Sequence, residues 1–210
     1  IIALLILNIL SRFEAKGDPQ SPDRLHIEIE ATRLAYAARD AWIADPDTSD
    51  VPVDELLSDA MADRLAGMID LRRALTDLPP FEMPLHRDTV YISVVDRDRN
   101  AVSFINSIFD CFGAGLVAPL SGIVLHNRGQ SFSLKPGHPN EIGPSKRPLH
   151  TIIPGMVTRN GRTEMPFGVM GGHYQALGHA NLISNIVDYG MDLQEAIDLP
   201  RMMPTSEGTR

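Results

Sequence analysis

Cysteine is nearly absent. The 210 residues contain one, Cys111, which excludes an intramolecular disulfide and leaves the redox compartment undetermined. It lies in Asp-Cys-Phe-Gly at the end of a strand pattern and reads as a small buried hydrophobe. Basic side chains are the minority sign: 19 Lys and Arg against 27 Asp and Glu give a formal net charge of −8. Phosphate-backbone binding calls for a basic stripe, so nucleic acid is excluded as a partner. No apolar run is long enough to span a bilayer. Ile1 to Leu10 is apolar except for Asn8, about half of the roughly 20 residues a span requires. It also lacks a basic flank and a small-residue cleavage site, so a buried helix is the better reading. The chain opens without methionine, directly inside this segment, as a piece of a longer protein would.

Metal-ligand spacing is missing too. His173 and His179 stand six apart with no carboxylate or cysteine pair beside them, and neither metal nor other cofactor is expected. His86-Arg87-Asp88 matches the start of a kinase catalytic loop, but Ser93 stands where that motif needs Asn. No Gly-rich phosphate loop accompanies it, so the match is discarded.

What remains is an ordinary globular composition, 43% apolar and 22% charged, with room for a substantial core. Asp23 is positioned to cap a helix running to about Ala44. In it Ile27, Ala31, Leu34, Ala35, Ala38 and Trp42 recur as one apolar stripe, which puts Trp42 in the core. Pro46 ends the helix. Two shorter helical pieces follow, Asp54 to Leu57 and Asp59 to about Leu71. Asp77 to His86 holds three prolines and reads as an extended, exposed linker, a domain boundary or a plain loop.

Two hairpins follow. Thr89 to Val95 is rich in β-branched and aromatic residues, Asp96 to Asn100 supplies turn chemistry, and Ala101 to Phe109 is a second strand run. Met156 to Arg159 and Thr163 to Val169 flank Asn160-Gly161, the strongest short hairpin signal. Between them, short strands are expected at Ile123 to Leu125 and Thr151 to Ile153. Met170-Gly171-Gly172 then leads into a helix from about Tyr174 to Tyr189. Gly190 stops it, Asp192 caps the next helix and Pro200 ends that one. The pattern establishes mixed α and β.

The run from Thr89 to Ser107, with Gly143-Pro144-Ser145-Lys146-Arg147-Pro148-Leu149-His150-Thr151 and Met170-Gly171-Gly172 downstream, resembles the γ-glutamyltransferase family, also called glutathione hydrolases. The resemblance covers nearly the whole chain. It implies the four-layer αββα sandwich of the N-terminal-nucleophile hydrolases, α+β in class and incomplete in this chain. It further implies a precursor that cuts itself between Asp88 and Thr89, so that residues 1–88 end a large subunit and 89–210 begin a small one. Thr89 would become the nucleophile, with its freed α-amine as base, near pH 8 in ordinary titration. Ser107 takes the place of a supporting threonine hydroxyl. Gly171 and Gly172 take that of the oxyanion hole. The local alternative is that Thr89 is an ordinary strand residue.

The departures concern substrate. Family members place Asn-Asn-Gln-Met-Asp-Asp-Phe-Ser where this chain has His126-Asn127-Arg128-Gly129-Gln130-Ser131-Phe132-Ser133. Arg128 replaces an amide, and Ser131 replaces an aspartate that holds an ammonium. Phe109 stands where an asparagine contacts the donor. His150 and Thr151 stand where many members carry two serines facing the reacting amide; the alternative for this pair is a polar lead-in to a strand. Arg128 is either a carboxylate-binding residue or a solvent-facing surface charge. The implied substrate is a γ-glutamyl amide such as glutathione. The branch resembled includes cephalosporin-acylase-like members that favour glutaryl groups, and a non-catalytic, unprocessed scaffold is the third alternative.

Overall fold

The computed structural model describes residues 1–78 and 89–202, with backbone alone for 204–205 and 208–209. Two compact units are present, one of Ile1–Met83 with Ala176–Arg210 and one of Pro84–Gln175. Asp88 and most of the proline-rich linker lie outside the described residues.

The first unit is helical. Helix α1 (Ile2–Leu10) buries Leu5, Ile6 and Ile9 completely against α2 (Pro22–Trp42) and α4 (Asp59–Ala66). No helix among the described residues is long and apolar enough to cross a membrane. Helix α2 is capped by Ser21, not Asp23: the Arg24 amide donates to Ser21 Oγ at 3.4 Å. Pro22 has no amide to satisfy and so takes the first helical position, which leaves Asp23 in the first turn, where its charge suits the helix dipole. The helix ends at Trp42, because Ile43 is extended. Trp42 is 49% exposed, contrary to the expected core placement. It is the terminal helical residue, past Arg39, the last buried position of α2. The apolar stripe is only part of what α2 buries, since Arg24, Glu28 and Glu30 are also inside.

Helix α3 (Val53–Leu56) is a single turn, and α4 begins at Ser58, whose Oγ accepts from the Met61 amide at 3.1 Å. It stops at Ala66, with Gly67 as its C-cap, five residues short of the expected end. Helix α5 (Gln175–Val187) is followed by Gly190 at φ 69°. Helix α6 (Leu193–Asp198) carries a complete capping box, Asp192 with Glu195.

The second unit is built on two antiparallel hairpins. Strand β1 (Thr89–Val95) pairs with β2 (Ala101–Ser107), placing Thr89 opposite Ser107, Tyr91 opposite Ile105 and Ser93 opposite Ser103. The strand alternation therefore puts Thr89, Tyr91, Ser103, Ile105 and Ser107 on one face. The other face carries Val90, Ile92, Val94, Val102 and Phe104, each about half exposed. Strand β2 stops at Ser107, because Phe109 has φ 81° and cannot continue an extended ladder.

Strands β3 (Gly155–Arg159) and β4 (Arg162–Phe167) turn through Asn160 and Gly161 at φ 51° and 74°, as a two-residue hairpin turn of this hand requires. They pack against the first hairpin: Ser103 Oγ donates to the Phe167 carbonyl at 3.1 Å. Gly168 lets the Tyr91 ring approach so closely that a Cβ there would stand 2.2 Å from it.

Three local expectations are corrected. Ile123 to Leu125 is not a strand, only a single bridge between Val117 and Val124. Thr151 to Ile153 is not one either, because side chains take its amides: Ile152 donates to His150 Nδ1 and Ile153 to Gln175 Oε1. Cys111 is exposed, since the positive φ at Phe109 turns the chain out of the strand before it. Past the last helix, β5 (Pro204–Thr205) and β6 (Gly208–Thr209) form a minimal antiparallel pair.

Candidate active site

Thr89 opens β1 on the covered face and is 9% exposed. Its hydroxyl donates to Ser107 Oγ across the strand pair at 3.2 Å. Ser107 Oγ also accepts from the Phe109 amide at 3.0 Å, so the backbone fixes the serine that orients the threonine. The strained φ at Phe109 accompanies this turn-back and directs its ring into the site.

Arg128 lies at the start of a 3₁₀ turn, Arg128–Ser131, and is 4% exposed. This removes the surface-charge reading. Its Nη1 donates to Thr151 Oγ1 at 3.0 Å and its Nη2 to the Ser107 carbonyl at 3.4 Å, while its guanidinium stacks 4.9 Å from the Phe109 ring centre. No carboxylate among the described residues pairs with it. Burial lowers its pKa, although an arginine stays charged. A buried cation with only neutral partners is costly unless an anion joins it.

Ser131 lies three residues on, and on a 3₁₀ turn side chains at that spacing stack on one side. Its Oγ is buried without a hydrogen-bond partner among the described residues. The turn is tied to the Phe109 loop through Asn127 Oδ1, which accepts from the Asp110 amide at 3.0 Å. Thr151 is buried and held by Arg128, whereas His150 is exposed and turned toward its own backbone. Partial desolvation of the ring first, and then the Arg128 charge, lower the His150 pKa.

Gly171 has φ 126° and Gly172 φ 55°, conformations a residue with a Cβ avoids. They turn the chain into the short 3₁₀ helix Gly172–Tyr174. The next side chain, His173, stands edge-on to Phe109 with ring centres 6.3 Å apart. Phe109 is thus shared between the glycine turn and Arg128. Sequence reasoning missed His173 and the buried Gln175, which carries the Ile153 amide; their one signal is position directly after the paired glycines. A hollow of about 870 Å³ lies among Asp98, Arg99, Arg159 and Arg162. It sits at the hairpin tips, a strand length of roughly 23 Å from Thr89, and has no part in this arrangement.

The chain as a whole matches the family model described as gamma-glutamyltranspeptidase, over residues 1–208. The chain belongs to the gamma-glutamyltranspeptidase family. It is 38% identical over 94% of its length to the glutathione hydrolase-like YwrD proenzyme of Bacillus subtilis. It is 39% identical over 97% to the oxamate amidohydrolase proenzyme of Klebsiella pneumoniae. Among solved structures, cephalosporin acylase from Bacillus halodurans superposes with a TM-score of 0.87 at 41% identity over 97% of the chain. The chain spans 37% of the first relative, 38% of the second and 37% of the acylase. The fold of this gamma-glutamyltranspeptidase-family chain is accordingly a mixed helix-and-strand portion of the architecture shared by those transpeptidases and acylases.

Proposed function

We propose that the full-length parent is a self-cleaving amidohydrolase or acyltransferase whose nucleophile is Thr89 and whose acyl substrates end in a carboxylate. The observation that carries this reading is the buried Arg128, without a carboxylate partner among the described residues, bonded to the carbonyl of the same Ser107 whose hydroxyl receives Thr89. In this reading residues 1–88 end the large subunit and 89–210 begin the small one, and the missing remainder completes a four-layer αββα sandwich.

Maturation would begin with Thr89 Oγ1 attacking the Asp88 carbonyl. The C–N bond breaks and an ester forms, with the proton passing to the released α-amine. Water then opens the ester, freeing the Asp88 carboxylate and the Thr89 hydroxyl. In each turnover the α-amine takes the hydroxyl proton while Oγ1 attacks the substrate amide. Backbone N–H groups at Gly171 and Gly172 would receive the oxyanion, a contribution of several kcal/mol where such donors are aimed at it. Collapse expels the amine with the proton, and water or an acceptor amine releases the acyl group.

Two acyl groups compete. A γ-glutamyl group carries a carboxylate and an ammonium, and a glutaryl group carries the carboxylate alone. Ser131 in place of an aspartate supplies no charge for an ammonium, and Arg128 repels one. Both features favour the glutaryl type, in keeping with the acylase likeness. The test is kcat/KM of the full-length parent on γ-glutamyl and glutaryl anilides. Faster glutaryl hydrolysis is expected, and faster γ-glutamyl hydrolysis would overturn the substrate assignment.

A further inference from the structure

Helices α2 and α5 belong to the same compact unit, and their contact includes a buried polar seam. Arg24 and Glu28 are 4% and 2% exposed. Arg24 Nε donates to Glu28 Oε1 at 2.9 Å, and Arg24 Nη2 crosses to α5, donating to Ser184 Oγ at 2.7 Å. Ser184 Oγ in turn donates a hydrogen bond to Asp188 Oδ2 at 2.7 Å. From the other side, Asn181 Nδ2 donates to Glu28 Oε2 at 3.2 Å, so each carboxylate oxygen of Glu28 is engaged, one within α2 and one from α5. Tyr189, just past α5, lies under the Arg24 guanidinium at 5.5 Å.

A buried ion pair offers little net stability over apolar packing of the same volume, but breaking one side of it is expensive. Its distinctive effect is register. Slide α5 by one turn along α2, and Arg24 loses Ser184 while Glu28 loses Asn181, which leaves the buried Arg24–Glu28 pair without its hydrogen bonds from α5. The positions in the chain give this register a use. Arg24 and Glu28 precede Thr89, and Asn181, Ser184, Asp188 and Tyr189 follow it.

We propose that this seam is the clasp between the two fragments after cleavage, the surface on which the fragment ending at Asp88 holds the fragment beginning at Thr89 in a single register. The proposal rests on the cleavage reading above, and its test separates the two. In the full-length parent carrying Thr89→Ala, a site-specific protease sequence is inserted after the exposed Asp77, so that cutting no longer depends on Thr89. The cut protein is followed by native mass spectrometry and size-exclusion chromatography over a dilution series, with and without Ser184→Ala or Glu28→Gln.

With the seam intact, the fragments should co-elute at micromolar concentration. Weakening a buried hydrogen bond to a charged group across the seam should raise the dissociation constant about tenfold or more. Each variant is first checked uncut by circular dichroism. Should Glu28→Gln fail to fold, the milder Ser184→Ala carries the comparison. Seam variants that stay associated to the same dilution as the intact seam would overturn the proposal, as would an intact seam whose fragments separate. A wild-type parent that never cuts itself would overturn the cleavage reading and leave the seam result standing.

Discussion

Replacing Arg128 with methionine should weaken catalysis on one substrate class while leaving the fold intact. Methionine keeps the apolar length of the side chain and removes the charge. The lost contacts are one hydrogen bond to Thr151 at 3.0 Å, a long one to the Ser107 carbonyl at 3.4 Å and the stack on Phe109. Each of the two hydrogen bonds is worth about 1 kcal/mol net or less, and the stack about 0.5–2. Against this, a cation 4% exposed, without a carboxylate partner among the described residues, is no longer buried, a relief of several kcal/mol. The stability change should therefore be small or favourable, read as a thermal midpoint no more than a few degrees lower.

Binding responds differently. A carboxylate on a guanidinium is a charge-assisted pair worth about 1.5–3 kcal/mol, so kcat/KM for a glutaryl anilide should fall roughly 10- to 150-fold. The uncharged pentanoyl anilide, the same carbon chain without the carboxylate oxygens, should change less than about threefold, within the roughly 0.5 kcal/mol typical of a site the substrate charge does not contact. Equal losses on both substrates, or a large drop in melting temperature, would refute the reasoning, because either would make Arg128 a structural residue.

Ser107→Ala removes the hydroxyl that receives Thr89 and should lower kcat about two- to thirteenfold with little change in KM, the value of one hydrogen bond, in steady-state assays. Gly168→Ala would push a Cβ to 2.2 Å from the Tyr91 ring and should destabilise the protein by about 1–3 kcal/mol, measured by urea unfolding. His179 is buried, and desolvation lowers its pKa to about 4. A lowered folded-state pKa means that the unfolded chain binds the proton first. The stability involved is thus present above about pH 6.5 and is lost as the pH falls toward 4, up to ~3 kcal/mol. Unfolding free energies measured across that range should fall with pH in the wild type and flatten in His179→Gln.

The hairpins were legible because their signals are local. Strand alternation placed Thr89 at the start of β1, and Asn160-Gly161 has a backbone demand few dipeptides meet. Helix α2 was read from its apolar stripe, and that same habit hid Arg24, Glu28 and Glu30, whose burial depends on partners far along the chain. Arg128 was open between a surface charge and a carboxylate-binding residue, since burial of a guanidinium is decided by the Phe109 loop and Thr151, not by its neighbours in sequence. Trp42 was misplaced because periodicity marks a face but does not tell where the packing partner ends. The short strand expected at Thr151 was lost to His150 and Gln175, whose side chains take the amides a ladder would need.

The most direct test of the central claim is the intact mass of the full-length parent beside its Thr89→Ala variant, with amino-terminal sequencing of any fragment. Two fragments from the wild type, the second beginning at Thr89, and one uncut chain from the variant are the predicted result. An uncut wild type, or a variant that cuts equally well, would contradict the assignment of Thr89 as nucleophile and leave the site a scaffold.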